Sequence, residues 1–251
     1  SYSYNNSVRI HRVYCKSLAE PNNIFYIDEP QSKHLIKALR LKEDDHVEVF
    51  DGNGRSAKCK ILQITKKNCQ LERISKLNND VGPKRVLTAV IPFIKKNNFN
   101  FMIQKMTEIG VNKFIIYKPD LVDQSIAKKD LRLVIAKTFE IIISVCKQCG
   151  NNFLPEIFES KNLENALALI STGHRVYFFD TDAEEYFNQE ELDKSSSITF
   201  ITGPESGFSE TELELMNKSK IKKRYLGRNI LRSETAAIYI SALIKNHFGK
   251  I

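Results

Sequence analysis

Two short segments concentrate the residue types that bind small molecules and handle charge. Ile201-Thr202-Gly203-Pro204-Glu205-Ser206-Gly207-Phe208 sets a carboxylate between two glycines. Leu226-Gly227-Arg228-Asn229-Ile230-Leu231-Arg232-Ser233-Glu234-Thr235 sets Arg228, Arg232 and Glu234 beside another glycine turn. Glycine lets a backbone turn sharply and approach a ligand closely. Each segment follows a strand-like run and precedes a helical one, and in parallel α/β sheets ligands sit at the carboxyl ends of strands. One such loop is an ordinary strand-to-helix turn. Two of them, both polar and both after strands, point to a site. Other chemistries find no support. The chain has no GxxxxGK[ST], no GxGxxG between a strand and a helix, no GxSxG and no HExxH.

The remaining reactive residues are scattered. Of His11, His34, His46, His174 and His247, only His34 stands in a basic context worth testing; the others read as surface or packing residues. The chain has five cysteines, an odd number that suits free thiols in a reducing compartment. Cys146-Lys147-Gln148-Cys149 has the spacing of a redox pair or of half a zinc site. A zinc site takes about four ligands, and no second CxxC or CxxH follows. A redox pair sits at the start of a helix, whereas this one closes a helical pattern. No metal is expected.

The elements that must position the two loops have two textures. Up to residue 76 the chain reads as short strands (Val8–Cys15, Asn23–Asp28, Val47–Phe50, Ala57–Thr65, Cys69–Ile74) with one helical piece, Gln31–Leu39. Asp51-Gly52-Asn53-Gly54 is a hairpin turn whose glycines accept positive φ. This predicts a small β-barrel over 1–76. The polar run Asn78-Asn79-Asp80-Val81-Gly82-Pro83 marks a boundary. From residue 84 to 251, strands alternate with helices. Val86–Ile91, Phe114–Tyr117, Arg175–Asp180, Ile198–Thr202 and Arg224–Leu226 read as strands. Asn97–Ile109, Lys129–Cys146, Asn162–Ile170, Ser209–Lys218 and Ser233–Asn246 read as helices. Phe99, Met102, Ile103 and Met106 share one helical face before a Gly110 stop, and Ser209 with Glu212 has the capping-box spacing. The alternation predicts an α/β domain on a mostly parallel sheet.

Charge follows the same division. The 251 residues carry a net +8, and residues 1–78 hold 14 Lys and Arg against 9 Asp and Glu, so +5 lies in the first third. A basic module suits a polyanion, with nucleic acid the first candidate. No apolar run approaches the roughly 20 residues of a membrane span. The N-terminus lacks a basic-then-apolar signal pattern, so a cytoplasmic location is expected.

GPESGF followed by LGRNILRSETA resembles the paired signature of the ribosomal RNA small subunit methyltransferase E family, of the SPOUT class. The resemblance covers nearly the whole chain. Arg9-Ile-His-Arg12-Val-Tyr, His34-Leu-Ile-Lys37-Ala-Leu-Arg40-Leu and Asp51-Gly52-Asn-Gly54 are similar to its PUA-like domain, and Gln104-Lys105-Met-Thr-Glu108-Ile-Gly110-Val111 to its QKxTELGV segment. This chain differs at Ser206, where the pattern has glycine. It differs also at Lys147 and Asn151, which replace Glu and Arg of an EQSGR-like run, and at Asn229, which replaces an arginine.

The resemblance implies a PUA-like β-barrel before a SPOUT domain with a deep trefoil knot, acting as a homodimer. It implies S-adenosylmethionine as methyl donor and N3 of a uridine in 16S ribosomal RNA of the small subunit as acceptor. Gly203, Gly207, Leu226, Gly227, Ile230 and Leu231, with Ile201, would hold the donor. Glu205 would face its sulfonium. Arg232 would favour the uracil anion, and Glu234 would either orient Arg232 or complement the helix dipole. Arg9, Arg12, His34, Lys37, Arg40 and Lys105 would contact RNA. Two other classes remain open: a non-catalytic RNA-binding or ribosome-assembly protein on the same scaffold, and a thiol redox protein using Cys146 and Cys149.

Overall fold

The computed structural model of the protein describes residues 10–250. The chain packs as two compact units. One runs to Gly82 and takes in Cys146–Leu154; the other holds Pro83–Val145 and the chain from Pro155 onward.

The first unit is a six-stranded half-barrel. β1 (Arg12–Tyr14), β2 (Ile24–Ile27), β3 (His46–Phe50), β4 (Arg55–Ile64) and β5 (Cys69–Arg73) lie in the order β1-β3-β4-β5-β2, and β6 (Asn78–Asn79) pairs with β4. Among the described residues only β1–β3 is parallel; the other pairs are antiparallel. Val13, Phe25, Ile27, Val47, Val49, Cys59, Ile61 and Leu71 fill the interior, with alternate residues turned outward as a strand's period of two demands. The helical piece is α1 (Glu29–Lys33), capped by the Asp28 carboxylate, and it runs into a π-helical turn over His34–Ala38. The Asp51–Gly54 turn forms as expected. The Asp51 carboxylate accepts from the amides of Asn53 and Arg55, and Gly54 sits at φ 92°. A Cβ at Gly54 would lie 2.3 Å from the Phe153 ring, so glycine is required by packing as well as by φ.

The second unit carries a six-stranded, wholly parallel sheet. β7 (Leu87–Pro92), β8 (Lys113–Tyr117), β9 (Glu156–Ser160), β10 (Arg175–Phe179), β11 (Ile198–Ile201) and β12 (Lys222–Arg224) lie in the order β12-β10-β11-β7-β8-β9. Helices α2 (Lys96–Ile109), α3 (Gln124–Ala127), α4 (Leu131–Cys149), α5 (Leu163–Ala168), α6 (Glu210–Lys218) and α7 (Ser233–Phe248) follow in chain order. The last turn of α4 belongs to the first unit. α2 buries Phe99, Met102, Ile103 and Met106 and stops at Gly110, as their spacing predicts. Each such side chain contributes about 1.5–3 kcal/mol on burial. The capping box of α6 forms in both directions between Ser209 and Glu212.

Several elements escape the sequence pattern, β6 in the expected boundary run among them. β9 (Glu-Ile-Phe-Glu-Ser) is an edge strand with charged, exposed positions and no clear alternation. α3 is a single turn. β12 lies two residues before the expected Arg224–Leu226, because Tyr225 and Leu226 already belong to the loop that follows.

Candidate active site

The strand order of the second unit's sheet reverses between β7 and β11. From β7 the chain proceeds outward through β8 and β9, whereas β11, β10 and β12 lie on the other side. Loops leaving neighbouring strands diverge at such a point and leave a crevice at the carboxyl edge. Two cavities open there. The smaller, of about 400 Å³, is lined from β10 by Phe179–Asp182, from β11 by Thr202–Glu205, Gly207 and Phe208, and from β12 by Tyr225–Leu231. The larger, of about 810 Å³, is lined by Ile94, Lys95 and Asn98 beyond β7, by Leu121–Asp123 beyond β8, and by Glu205, Ser206, Arg232 and Glu234. Pro204, Glu205 and Ser233 border both. The two glycine loops thus line one cavity, Glu205 borders both, and Arg232 and Glu234 line the second.

Hydrogen bonds hold this boundary. The Ser233 hydroxyl donates to the Gly203 carbonyl at 2.8 Å, tying one loop to the other. The buried Tyr117 hydroxyl donates to the Thr202 carbonyl at 2.7 Å, and burial pushes its phenol well above the ordinary range. Gly207 has φ 81°, a backbone that a side chain rarely adopts. Gly203 does not need positive φ; a Cβ there would press on the Phe208 ring at 3.2 Å. Gly227 has neither reason to be glycine, since a Cβ there would meet open space.

The expected donor-binding residues Gly203, Gly207, Leu226, Gly227, Ile230 and Leu231 line the smaller cavity. Ile201 does not: it is fully buried in β11 and packs with Val90, Ile115 and Phe178 in the core beneath the loop. Glu205 and Arg232 are exposed at the cavities. Glu234 is buried in the first turn of α7 and faces Arg232 at 3.9 Å, a loose pair. Asp180, Thr181 and Asp182 carry no motif of their own, although the rule that places ligands at strand carboxyl ends applies equally to the Arg175–Asp180 run. Lys95 and Asn98 are reached by the same rule, since they follow β7.

The residues expected to contact RNA fare unevenly. Arg9 lies outside the described residues. Arg12 is engaged by protein groups. Its guanidinium pairs with Glu48 at 2.8 Å, donates to Asn152 Oδ1 at 2.9 Å and to the carbonyls of Cys146 and Asn151, and stacks over Phe50. These partners leave little for a phosphate. Lys105 pairs with Glu108 on α2 and lines neither cavity. Lys37 and Arg40 are exposed beside the π-helical turn. His34 is exposed too, and its imidazole is held below its ordinary pKa by burial and by the nearby Lys147 and His11.

Cys146 is buried and Cys149 exposed, both as free thiols in the last turn of α4. The neighbouring Cys146 thiol holds the Cys149 thiol below its ordinary pKa. Among the described residues, no three His, Cys, Asp or Glu side chains gather as a metal site. No described helix is long and apolar enough to cross a membrane.

Several known proteins are similar to this chain. A family profile for an RNA methyltransferase domain matches residues 82–245, and one for an RNA methyltransferase PUA domain matches residues 27–72. Ribosomal RNA small subunit methyltransferase E from Buchnera aphidicola is 27% identical, covering 97% of this chain and 98% of the relative. A predicted RNA methyltransferase from Thermotoga maritima has a TM-score of 0.74 at 28% identity, covering 96% of this chain and 100% of that one. The fold is shared with a ribosomal RNA small subunit methyltransferase E from Neisseria gonorrhoeae bound to S-adenosyl methionine, at TM-score 0.81 and 21% identity, covering 95% and 98% of the two chains. With its profile spanning most of the chain and the two loops meeting in one cavity, this protein belongs to the RNA methyltransferase family.

Proposed function

We propose that the protein transfers a methyl group from S-adenosylmethionine to N3 of a uridine in 16S ribosomal RNA of the small subunit. The observation that carries this reading is the paired cavity: both glycine loops face the smaller space, Glu205 borders both spaces, and Arg232 lines the larger one. The smaller cavity suits the donor. Gly227 leaves open space where any side chain would intrude, and backbone groups with Leu226, Ile230 and Leu231 suit an adenosine. When bound, S-adenosylmethionine supplies a methyl group on a positively charged sulfur.

The chain's own residues do the rest. The Glu205 carboxylate, which borders both cavities, faces that positive charge. The larger cavity receives the uridine, which has to leave its stack to reach it. N3 must lose its proton before it can accept a methyl group. The exposed Arg232 guanidinium, held only loosely by Glu234, is free to favour the uracil anion. Glu234 lies in the first turn of α7, so it complements the helix dipole as well as facing Arg232. Lys37 and Arg40, with Arg9 and His34, position the RNA through its phosphates. The same reading takes the protein to be a cytoplasmic homodimer with a knotted second domain.

The test is methyl transfer from labelled donor to small subunits lacking the modification. N3-methyluridine in 16S RNA is the expected product, and its absence with wild-type protein defeats the proposal. Binding of S-adenosylmethionine in calorimetry excludes the non-catalytic alternative.

A further inference from the structure

Ser206 stands where the resembled signature has glycine, and its side chain has a specific partner. Its hydroxyl donates to the carbonyl of Leu121. Three residues on, the Ser209 hydroxyl donates to the Asp120 carboxylate at 2.5 Å. Both acceptors lie in the segment that leaves β8, and Leu121, Val122 and Asp123 of that segment wall the larger cavity. Little burial holds this wall: Leu121 is 43% exposed, Asp123 is exposed and Val122 is half-buried. The opposite side of the contact is the loop that carries Glu205. A hydroxyl at 206 therefore joins an otherwise weakly packed wall to the charged boundary between the two cavities.

We propose that Ser206 is a positioning residue for the acceptor: its bond to Leu121 sets the shape of the cavity that receives the uridine. This rests on the methyltransferase reading above. Ser209 cannot do this alone. Its oxygen also accepts from the Glu212 amide as the cap of α6, so it belongs to the helix terminus as much as to the wall. Ser206 makes no such local bond and has no cap to form.

The experiment compares wild type, Ser206→Ala and Ser206→Thr as full-length protein in three measurements. In hydrogen exchange, Ser206→Ala should speed exchange in peptides covering residues 120–127 and leave α2 and α7 unchanged. In calorimetry its affinity for S-adenosylmethionine should stay within about twofold. In methyl transfer to small subunits, KM for the subunit should rise by about three- to tenfold with kcat retained, the range that the net worth of one hydrogen bond allows. Ser206→Thr, which keeps the hydroxyl, should restore both exchange and KM. Unchanged exchange in Ser206→Ala overturns the proposal, as does an equal loss of cofactor affinity, which would make Ser206 a donor-loop residue. An active wild type with an unaltered KM in the alanine variant also defeats it while sparing the methyltransferase reading. An inactive wild type brings down both.

Discussion

Arg12 in the half-barrel and Arg232 in the α/β unit are both arginines beside candidate functional segments, and the fold uses them in opposite ways. Arg12 has an 11% exposed side chain, with Glu48, Asn152 and two backbone carbonyls around its guanidinium. Arg232 has a 71% exposed side chain and one carboxylate at 3.9 Å. A guanidinium whose two terminal nitrogens are both paired with protein groups holds structure together. One left nearly unpaired at the mouth of a cavity can respond to charge that develops on a ligand. The glycines repeat the contrast. Gly54 is required by its own φ and by Phe153, whereas Gly227 is required by nothing within the protein.

The largest expected effect falls on Arg232. Arg232→Ala should lower methyl transfer by about 10²–10³-fold, as removal of one charge-stabilising donor does elsewhere, while S-adenosylmethionine affinity stays within a few-fold. Equal loss in transfer and calorimetry would make Arg232 a cofactor residue and erase the contrast with Arg12. Next, Arg12→Ala should destabilise the protein by about 2–3 kcal/mol, because Asn152 and the Glu48 carboxylate lose a charged partner. Urea titration measures this. Transfer per folded molecule should hardly change, and a selective loss of RNA affinity instead would return Arg12 to the RNA-binding surface.

The glycine pair sharpens the comparison further. Gly227→Ala should leave the urea midpoint unchanged and weaken S-adenosylmethionine by about tenfold, a cost of about 1.4 kcal/mol for a methyl group in the binding space. Gly54→Ala should do the reverse, lowering stability by more than about 1 kcal/mol. The smallest effect concerns the exposed cations of the half-barrel. Replacing Lys37 by Ala and Arg40 by Asn, which tolerates the φ of 53° at position 40, should flatten the salt dependence of RNA binding. For every phosphate no longer neutralised, the log–log slope should fall by about 0.7–0.9. A slope that does not change would leave the basic half-barrel without a phosphate-binding role for these two cations.

Much of the fold can be read locally. The α2 face, the Gly110 stop, the Ser209–Glu212 cap and the Asp51–Gly54 turn all depend on residues a few positions apart, where periodicity and φ preference act. The two loops are legible for the same reason: each announces itself by glycines and charges within about ten residues. Ile201 shows the limit of that logic. It adjoins the loop in sequence, but a strand residue next to a ligand turn can point into the core, and here the core won. Nothing local distinguishes β9, whose edge position frees it from the usual alternation. Nor does anything local announce that Cys146–Leu154 belongs with the half-barrel.

By itself, then, the sequence determined the two textures, the glycine loops and the concentration of basic charge in the first third. These follow from backbone preference, hydrophobic period and counting, which need no partner far along the chain. The tertiary structure alone decided which charged groups are spent and which are free. Arg12 is consumed by residues 134 to 140 positions away, and Ser206 reaches a carbonyl 85 positions away. A guanidinium or hydroxyl carries the same chemistry in every context until its hydrogen-bond partners are fixed, and those partners are set by folding over distances that no local pattern records.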